Sequence, residues 1–244
     1  LERGAYYGVF IVITLYLSRI LGFTDVEAAL ISGLFSGGLY LLPTFAGALA
    51  DKIGFKYSLI IAFTLLTIGY FGLGVLPTAL ESAGLVNYSD DIEFTGLIES
   101  TQRWAIVPVL IILMIGGSFI KSVITGTVAK ETTEINRAQG FSIFYMMVNI
   151  GAFSGKTIVK PLRVAMGDIG LIYLNYFSAA LTFIALLMIV FFYKSTKQQG
   201  KGKTFGEIWE ALIKVLSNGR LITLIIIITG FWMVQHQLYA TMPK

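Results

Sequence analysis

Seven apolar runs recur along this 244-residue chain, most of them longer than the roughly 18 residues that cross a bilayer as a helix. They fall at about residues 5–21, 26–50, 57–76, 104–128, 140–159, 169–193 and 221–239. Only 13% of the chain is charged, against about 25% in soluble proteins, and the mean hydropathy is +0.79. Membrane β-strands would alternate in segments of about ten residues, and these runs do not. The expected fold is therefore an all-α, polytopic membrane protein. The chain has no cysteine and a single histidine, which rules out thiol chemistry and leaves metal or triad catalysis almost nothing to work with, so no enzyme activity is expected. The basic balance does not point to nucleic acid, because lysine and arginine concentrate in the loops of a membrane protein.

The spacing divides the chain into a six-helix bundle (1–193, its first helix expected to begin upstream of Leu1), a basic linker (194–220) and a seventh span (221–244) that opens a second bundle. The true N-terminus is expected to be missing, since no initiating Met precedes Leu1. Within the linker Phe205, Ile208, Trp209, Leu212, Ile213 and Leu216 share one helical face, predicting an amphipathic helix on the membrane surface. Residues 77–103 form a polar loop with Glu81, Asp90, Asp91, Glu93 and Glu99. One side carries Lys52, Lys56, Lys130, Arg137, Lys194, Lys197, Lys201, Lys203, Lys214 and Arg220; the other carries Arg19, Arg103, Lys160 and Arg163. The richer side is cytoplasmic by the positive-inside rule, which puts residue 1 toward the cytoplasm and the acidic loop outside.

Arg3, Lys121 and His236 lie inside these spans. A charge at mid-membrane costs about 2.5–3.5 kcal/mol on insertion scales, so such residues mark a polar pathway. Arg3, Tyr7, Phe10 and Thr14 share a helical face, as do Ser118, Lys121 and Thr125 on the fourth span. Ser142, Tyr145, Asn149, Lys156 and Lys160 stripe the fifth, and Trp232, Gln235, His236 and Tyr239 group on the seventh. Lipid cannot satisfy such stripes, so they are expected to line a central, water-accessible cavity.

Motifs narrow this reading. The connection Gly47-Ala-Leu-Ala-Asp51-Lys52-Ile-Gly54-Phe-Lys56 resembles the signature loop of the major facilitator superfamily, with Asp51 free to cap a helix or to pair with a base of a neighbouring helix. Glu2-Arg3-Gly4-Ala5-Tyr6-Tyr7-Gly8 resembles the first-helix motif of the proton-coupled oligopeptide transporters. Gly116-Gly117-Ser-Phe-Ile120-Lys121 is similar to their fourth helix, Phe144-Tyr145-Met-Met-Val-Asn149-Ile-Gly151 to their fifth, and Phe231-Trp232 with Gln237 to their seventh. The resemblance implies a symporter in a bacterial inner membrane. It would import di- and tripeptides, or similar carboxylated molecules, by alternating access, with protons as coupling ion and no cofactor. Its expected substrate contacts are Arg3, Tyr6, Tyr7, Tyr40, Lys121, Tyr145, Asn149 and Trp232, and its proton-coupling groups Glu2, Arg3, Lys121 and His236. A functional monomer in lipid is expected, completed by a second six-helix half. A facilitator porter for an organic anion, sugar or drug is the alternative.

Three departures stand out. Gly4 replaces the Phe that usually follows the Arg, and His236 stands where the family carries an acid. Histidine titrates near pH 6.5, so His236 is either a proton relay or a hydrogen-bond donor of the cavity. Lys156 is the third. It either snorkels to the headgroups with Lys160 or faces the cavity as an extra anion site, biasing it toward acidic peptides.

Overall fold

A computed structural model describes residues 1–89, 92–194 and 205–241 of the chain. Those residues form helices α1 (Glu2–Phe10), α2 (Ile13–Leu15), α3 (Asp25–Leu41), α4 (Pro43–Ile53), α5 (Phe55–Ser82), α6 (Ile106–Glu131), α7 (Arg137–Met166), α8 (Gly170–Phe192), α9 (Phe205–Leu216) and α10 (Gly219–Thr241). Sheet structure among the described residues is a small hairpin of β1 (Val86–Asn87) and β2 (Glu93–Phe94), pairing Val86 with Phe94 and Asn87 with Glu93. The expected all-α membrane architecture is what is found. The segments Phe55–Ser82, Thr101–Glu131 and Arg137–Phe192 are long and apolar enough to cross a bilayer, the last being α7 and α8 turned at Gly167 (φ +60°). α3 and α4, bent by 42°, qualify together as a broken span.

The chain divides into two compact units, Leu1–Lys201 and Gly202–Lys244. In the first, α5 packs between α6 and α8, α1 packs on α7 and α8, and α6 is flanked by α3 and α4. Leu17, Leu73, Leu113, Ile120 and Leu174 are fully buried among them. In the second, α9 meets α10 at 86°; Asp90, Asp91, Lys197, Lys201 and Lys203 lie outside the described residues.

Several boundaries differ from the sequence expectation, each for a local reason. The first run is not one helix. Ile11-Val12-Ile13-Thr14 is an unbroken β-branched stretch, which loses side-chain freedom in a helix, and the α-helix lapses at Val12 (φ −116°, ψ 4°) before resuming as α2 and a π-helical turn, Tyr16–Ile20. Thr14 therefore leaves the Arg3–Tyr7 face; its hydroxyl lies 3.1 Å from that of Ser32 on α3. At the other end of this connection Thr24 and Glu27 form a reciprocal capping box that starts α3. Helix α5 runs on through Pro77 to Ser82, so Glu81 belongs to it and not to the polar loop, and α7 runs through Pro161 to Met166, taking Lys160 and Arg163 into the helix. Arg163 there pairs with Asp168 at 3.1 Å.

Pro77 and Pro43 leave a distinctive signature. Proline has no N–H, so the carbonyl four residues earlier loses its helical partner. For Pro77 that carbonyl belongs to Leu73, and the buried Tyr16 hydroxyl donates to it at 2.6 Å. For Pro43 it belongs to Leu39, and the Lys121 ammonium donates to it at 3.1 Å. Ser122 on the same helix donates to the carbonyl of Pro43 itself at 2.6 Å, which ties the α3–α4 bend to α6.

Glycines set the closest approach. Gly4 and Gly8 of α1 meet Gly151 and Gly155 of α7, four residues apart on each helix; a methyl group on Gly155 would collide with the Gly4 carbonyl and stand 3.0 Å from the Gly8 nitrogen. This is the small-residue packing by which membrane helices bring their backbones together. A first side-chain carbon on Gly4 would stand in ordinary contact with the Gly151 carbonyl of α7 at 3.6 Å and with Leu181 of α8 at 3.7 Å.

Tyr16→Phe is expected to leave the Leu73 carbonyl buried without a donor, costing about 1–3 kcal/mol. Thermal unfolding in detergent should show a lowered midpoint. Pro77→Ala added to that variant restores an N–H and should recover most of the loss.

Candidate functional site

The site is built where the glycine contact holds α1 against α7. Glu2 is only 7% exposed, and a buried carboxylate needs a paired, hydrogen-bonded partner. Arg3 supplies it in fork geometry, Nη2 donating to Glu2 Oε1 at 2.7 Å and Nε donating to Oε2. The guanidinium carbon also stands 4.9 Å from the centre of the Tyr6 ring. Tyr6 is buried, stacked on Phe10 at 5.1 Å and edge-on to Tyr7 at 5.1 Å. It thus backs the cluster, while Tyr7 is half-buried and borders it.

Lys121 reaches the same region from α6. Its ammonium is held by the Leu39 carbonyl at the C-terminal end of α3 and lies 3.7 Å from the centre of the Tyr40 ring. Both partners suit a cation. The last carbonyls of a helix carry its negative dipole end, and an aromatic face attracts positive charge. Tyr40 is 61% exposed and stands within electrostatic range of Tyr7 and Arg3, as Lys121 does of Arg3 and Glu2.

The α7 stripe completes the wall. Tyr145, Asn149 and Lys156 fall within about 40° of one another on the helix. Tyr145 and Asn149 are exposed, and Lys156 is half-buried with its ammonium 5.4 Å from the centre of the Tyr7 ring. Contacts therefore join Glu2, Arg3, Tyr6, Tyr7 and Lys156, and Lys121 with Tyr40 forms a second set within electrostatic range of them. Tyr70 was not singled out from sequence. It is buried on α5, within electrostatic range of Glu2, Arg3 and Tyr6, and a hydroxyl amid an apolar span was its only signal. Ser118 shares a helical face with Lys121 in the unbroken α6 but does not line the site. It is buried, and its hydroxyl donates to its own helix at Ile115.

Two expected residues fall in the second unit. Trp232 is on α10 in the second unit, 52% exposed, its ring against Phe231 at 5.9 Å. The side chain of His236 lies outside the described residues, as do those of Gln235, Gln237 and Tyr239.

The loop motif makes contacts of its own. Gly54 ends α4 at φ +88°, a conformation glycine adopts without a Cβ clash. Asp51 faces Lys130 of α6 at 3.9 Å, and Lys130 lies 4.0 Å from the Phe55 ring centre. Lys56 donates to the Val190 carbonyl near the end of α8 at 3.4 Å. Gly47 packs on Ser122, and Lys52 is exposed.

Comparison with known proteins gives the same direction. The family description of the Major Facilitator Superfamily matches residues 1–244. The chain is similar to solute carrier family 15 member 1 of Canis lupus familiaris, at 28% identity over 89% of this chain and 31% of that protein. It is similar to the peptide transporter YePEPT of Yersinia enterocolitica, at 27% over 62% of this chain and 27% of that protein. Dipeptide and tripeptide permease A of Proteus mirabilis is 26% identical over the same shares. The chain spans less than a third of the length of these relatives.

Arg3→Met strands the Glu2 carboxylate in a buried position and is expected to cost about 3–5 kcal/mol. The double variant Glu2→Gln with Arg3→Met removes both charges and should unfold closer to the parent. Equal destabilisation in the single and double variants would show that the pair is not the source of the loss.

Proposed function

The chain belongs to the Major Facilitator Superfamily, and from that membership we propose that it forms the substrate-binding half of a proton-coupled symporter for di- and tripeptides. The observation that carries this reading is the Lys121 ammonium. It is set between a proline-freed carbonyl and the exposed Tyr40 ring, within electrostatic range of the Glu2–Arg3 pair. The names of the relatives, a peptide transporter and a dipeptide and tripeptide permease, agree with it. The same chemistry would serve other small carboxylated substrates, but no feature of the site favours a sugar or drug porter.

The proposed cycle uses these groups in order. A neutral carbonyl holds Lys121 at rest, and a substrate carboxylate offers the stronger, charge-assisted bond. A proton entering from outside and reaching Glu2 would release Arg3 to share that carboxylate. Loss of the proton on the inner side restores the Glu2–Arg3 pair and weakens the grip on the substrate. Tyr7, Tyr40, Tyr145 and Asn149 would hydrogen-bond the peptide backbone. Trp232 would contribute to substrate binding and His236 to proton coupling, as the resemblance implies, and a second six-helix half would complete the transporter. The whole would work as a monomer in a bacterial inner membrane, its N-terminus cytoplasmic as the lysine and arginine distribution directs. Asp51 and Lys130 would hold the cytoplasmic end between conformations. Protons would be the only coupling species, with no cofactor.

Vesicles holding the full-length protein are expected to accumulate labelled dialanine when an inward proton gradient is imposed, and excess unlabelled dipeptide should suppress it. Lys121→Ala should abolish that accumulation. Accumulation that survives Lys121→Ala would overturn the role of Lys121, and accumulation that ignores the gradient would overturn proton coupling.

A further inference from the structure

Lys121 meets a backbone carbonyl where a carboxylate would be the usual partner. Its contacts among the described residues are the Leu39 carbonyl at 3.1 Å and the Tyr40 ring, whose centre is 3.7 Å away. Both are neutral. The carbonyl is available because residue 43 is proline; any other residue there would have an N–H to donate to Leu39. The backbone is bonded on either side of this gap, Leu42 N–H donating to Gly38 and Ala46 N–H donating to Leu42.

The surroundings make this more than a chance contact. Leu39 is 2% exposed, and a carbonyl so placed needs a donor from the protein. Helix α6 comes close enough to supply one because Gly117, one turn before Lys121, has no side chain. A Cβ there would stand 2.7 Å from the Leu39 side chain. Ser122, next to Lys121, donates to the Pro43 carbonyl at 2.6 Å. Gly117, Lys121 and Ser122 thus seat the 42° bend between α3 and α4 on α6. Lys121 itself is half-buried and Tyr40 is exposed, so the lysine is within reach of an entering molecule.

We propose that Pro43 is a positioning residue for substrate binding: by withholding an N–H it keeps the Leu39 carbonyl as a resident competitor for the Lys121 ammonium. The proposal rests on the peptide-symport reading and adds how the affinity of that site is set. An entering carboxylate displaces the carbonyl because its bond is charge-assisted. The gain is then the difference between two acceptors and not the whole of one bond. When substrate leaves, the carbonyl takes the ammonium back, so the lysine is never stranded without an acceptor in an apolar surrounding. Pro43 therefore weakens binding and speeds release.

The test is gradient-driven uptake of labelled dialanine by vesicles holding the full-length protein, read as half-saturating concentration and maximal rate. Alanyl-alanine amide, which lacks the terminal carboxylate, serves as an unlabelled competitor. In Pro43→Ala the restored N–H occupies Leu39. The half-saturating concentration should fall about tenfold, the yield of one hydrogen bond to a charged group, and the maximal rate should fall several-fold. Inhibition by the amide should need the same concentration as in the parent. An ester in place of the amide linkage between Leu39 and Tyr40 keeps Pro43 and every side chain while weakening the same carbonyl as an acceptor. It should lower the half-saturating concentration too, and it decides the matter if Pro43→Ala does not fold. Ser122→Ala removes the other bond to the bend and should leave half-saturation at the parent value. An unchanged or raised half-saturating concentration in Pro43→Ala or in the ester, an equal fall in Ser122→Ala, or an equal gain for the amide overturns the proposal while leaving peptide transport intact. Absence of dialanine uptake in the parent overturns the peptide reading itself and this proposal with it.

Discussion

Inside a bilayer no water is available for a backbone carbonyl that loses its helical donor, and this constraint organises the molecule. Pro77 inside α5 and Pro43 at the start of α4, where α3 bends into it, each remove a backbone donor. The two carbonyls so released take partners of different kinds. Leu73 receives a neutral tyrosine hydroxyl and the matter ends there, because Tyr16 is buried and its bond joins the first span to α5. Leu39 receives a lysine. A charge has then been anchored deep in the structure by a backbone group that helix geometry left over, at the dipole end that favours it. The bend between α3 and α4 and the position of Lys121 are two consequences of the same missing N–H.

The glycine contact does for α1 and α7 what the prolines do for α3 and α6. Backbones that touch at Gly4, Gly8, Gly151 and Gly155 leave no width for side chains between the helices. The residues flanking the crossing are thereby pushed to its rims. Arg3 and Tyr7 occupy α1 there, and Lys156 occupies α7. The polar character of the site thus depends on residues with no polar side chain at all. Replacing Gly155 with a larger residue would separate Lys156 from Tyr7 before it disturbed either one's chemistry.

Much of this was legible in the sequence because charge in an apolar run is costly and therefore conspicuous. Arg3, Glu2, Lys121 and Lys156 announce themselves on that ground, and the long runs announce the helices. The errors came where a local rule met a tertiary one. Pro77 and Pro161 read as helix ends, yet neighbouring groups and the membrane let the helices continue. The β-branched stretch 11–14 read as ordinary apolar span, and the break there carried Thr14 off the expected face. Helical spacing set Ser118 on the face of Lys121, as α6 has it, but could not show that its hydroxyl satisfies itself on its own backbone and so is buried. Tyr70 was invisible because a tyrosine among apolar neighbours looks like packing until the Glu2–Arg3 pair is found within range of it.

The resting arrangement explains how a site rich in cations can fold before any substrate arrives. Arg3 is answered by a carboxylate, and Lys121 by a carbonyl and an aromatic face. These answers are unequal. The Glu2–Arg3 bond is a buried, two-point ion pair, whose rupture leaves two charges unsatisfied. The Lys121 bond involves one neutral oxygen and an exposed ring, and an incoming carboxylate can replace both at a gain. Substrate would therefore engage Lys121 first, with the Arg3 pair yielding only when Glu2 takes up a proton. In the proposed cycle that order would couple binding to protonation at the site through two side chains. It follows from the difference between a charged and a neutral acceptor at two neighbouring cations.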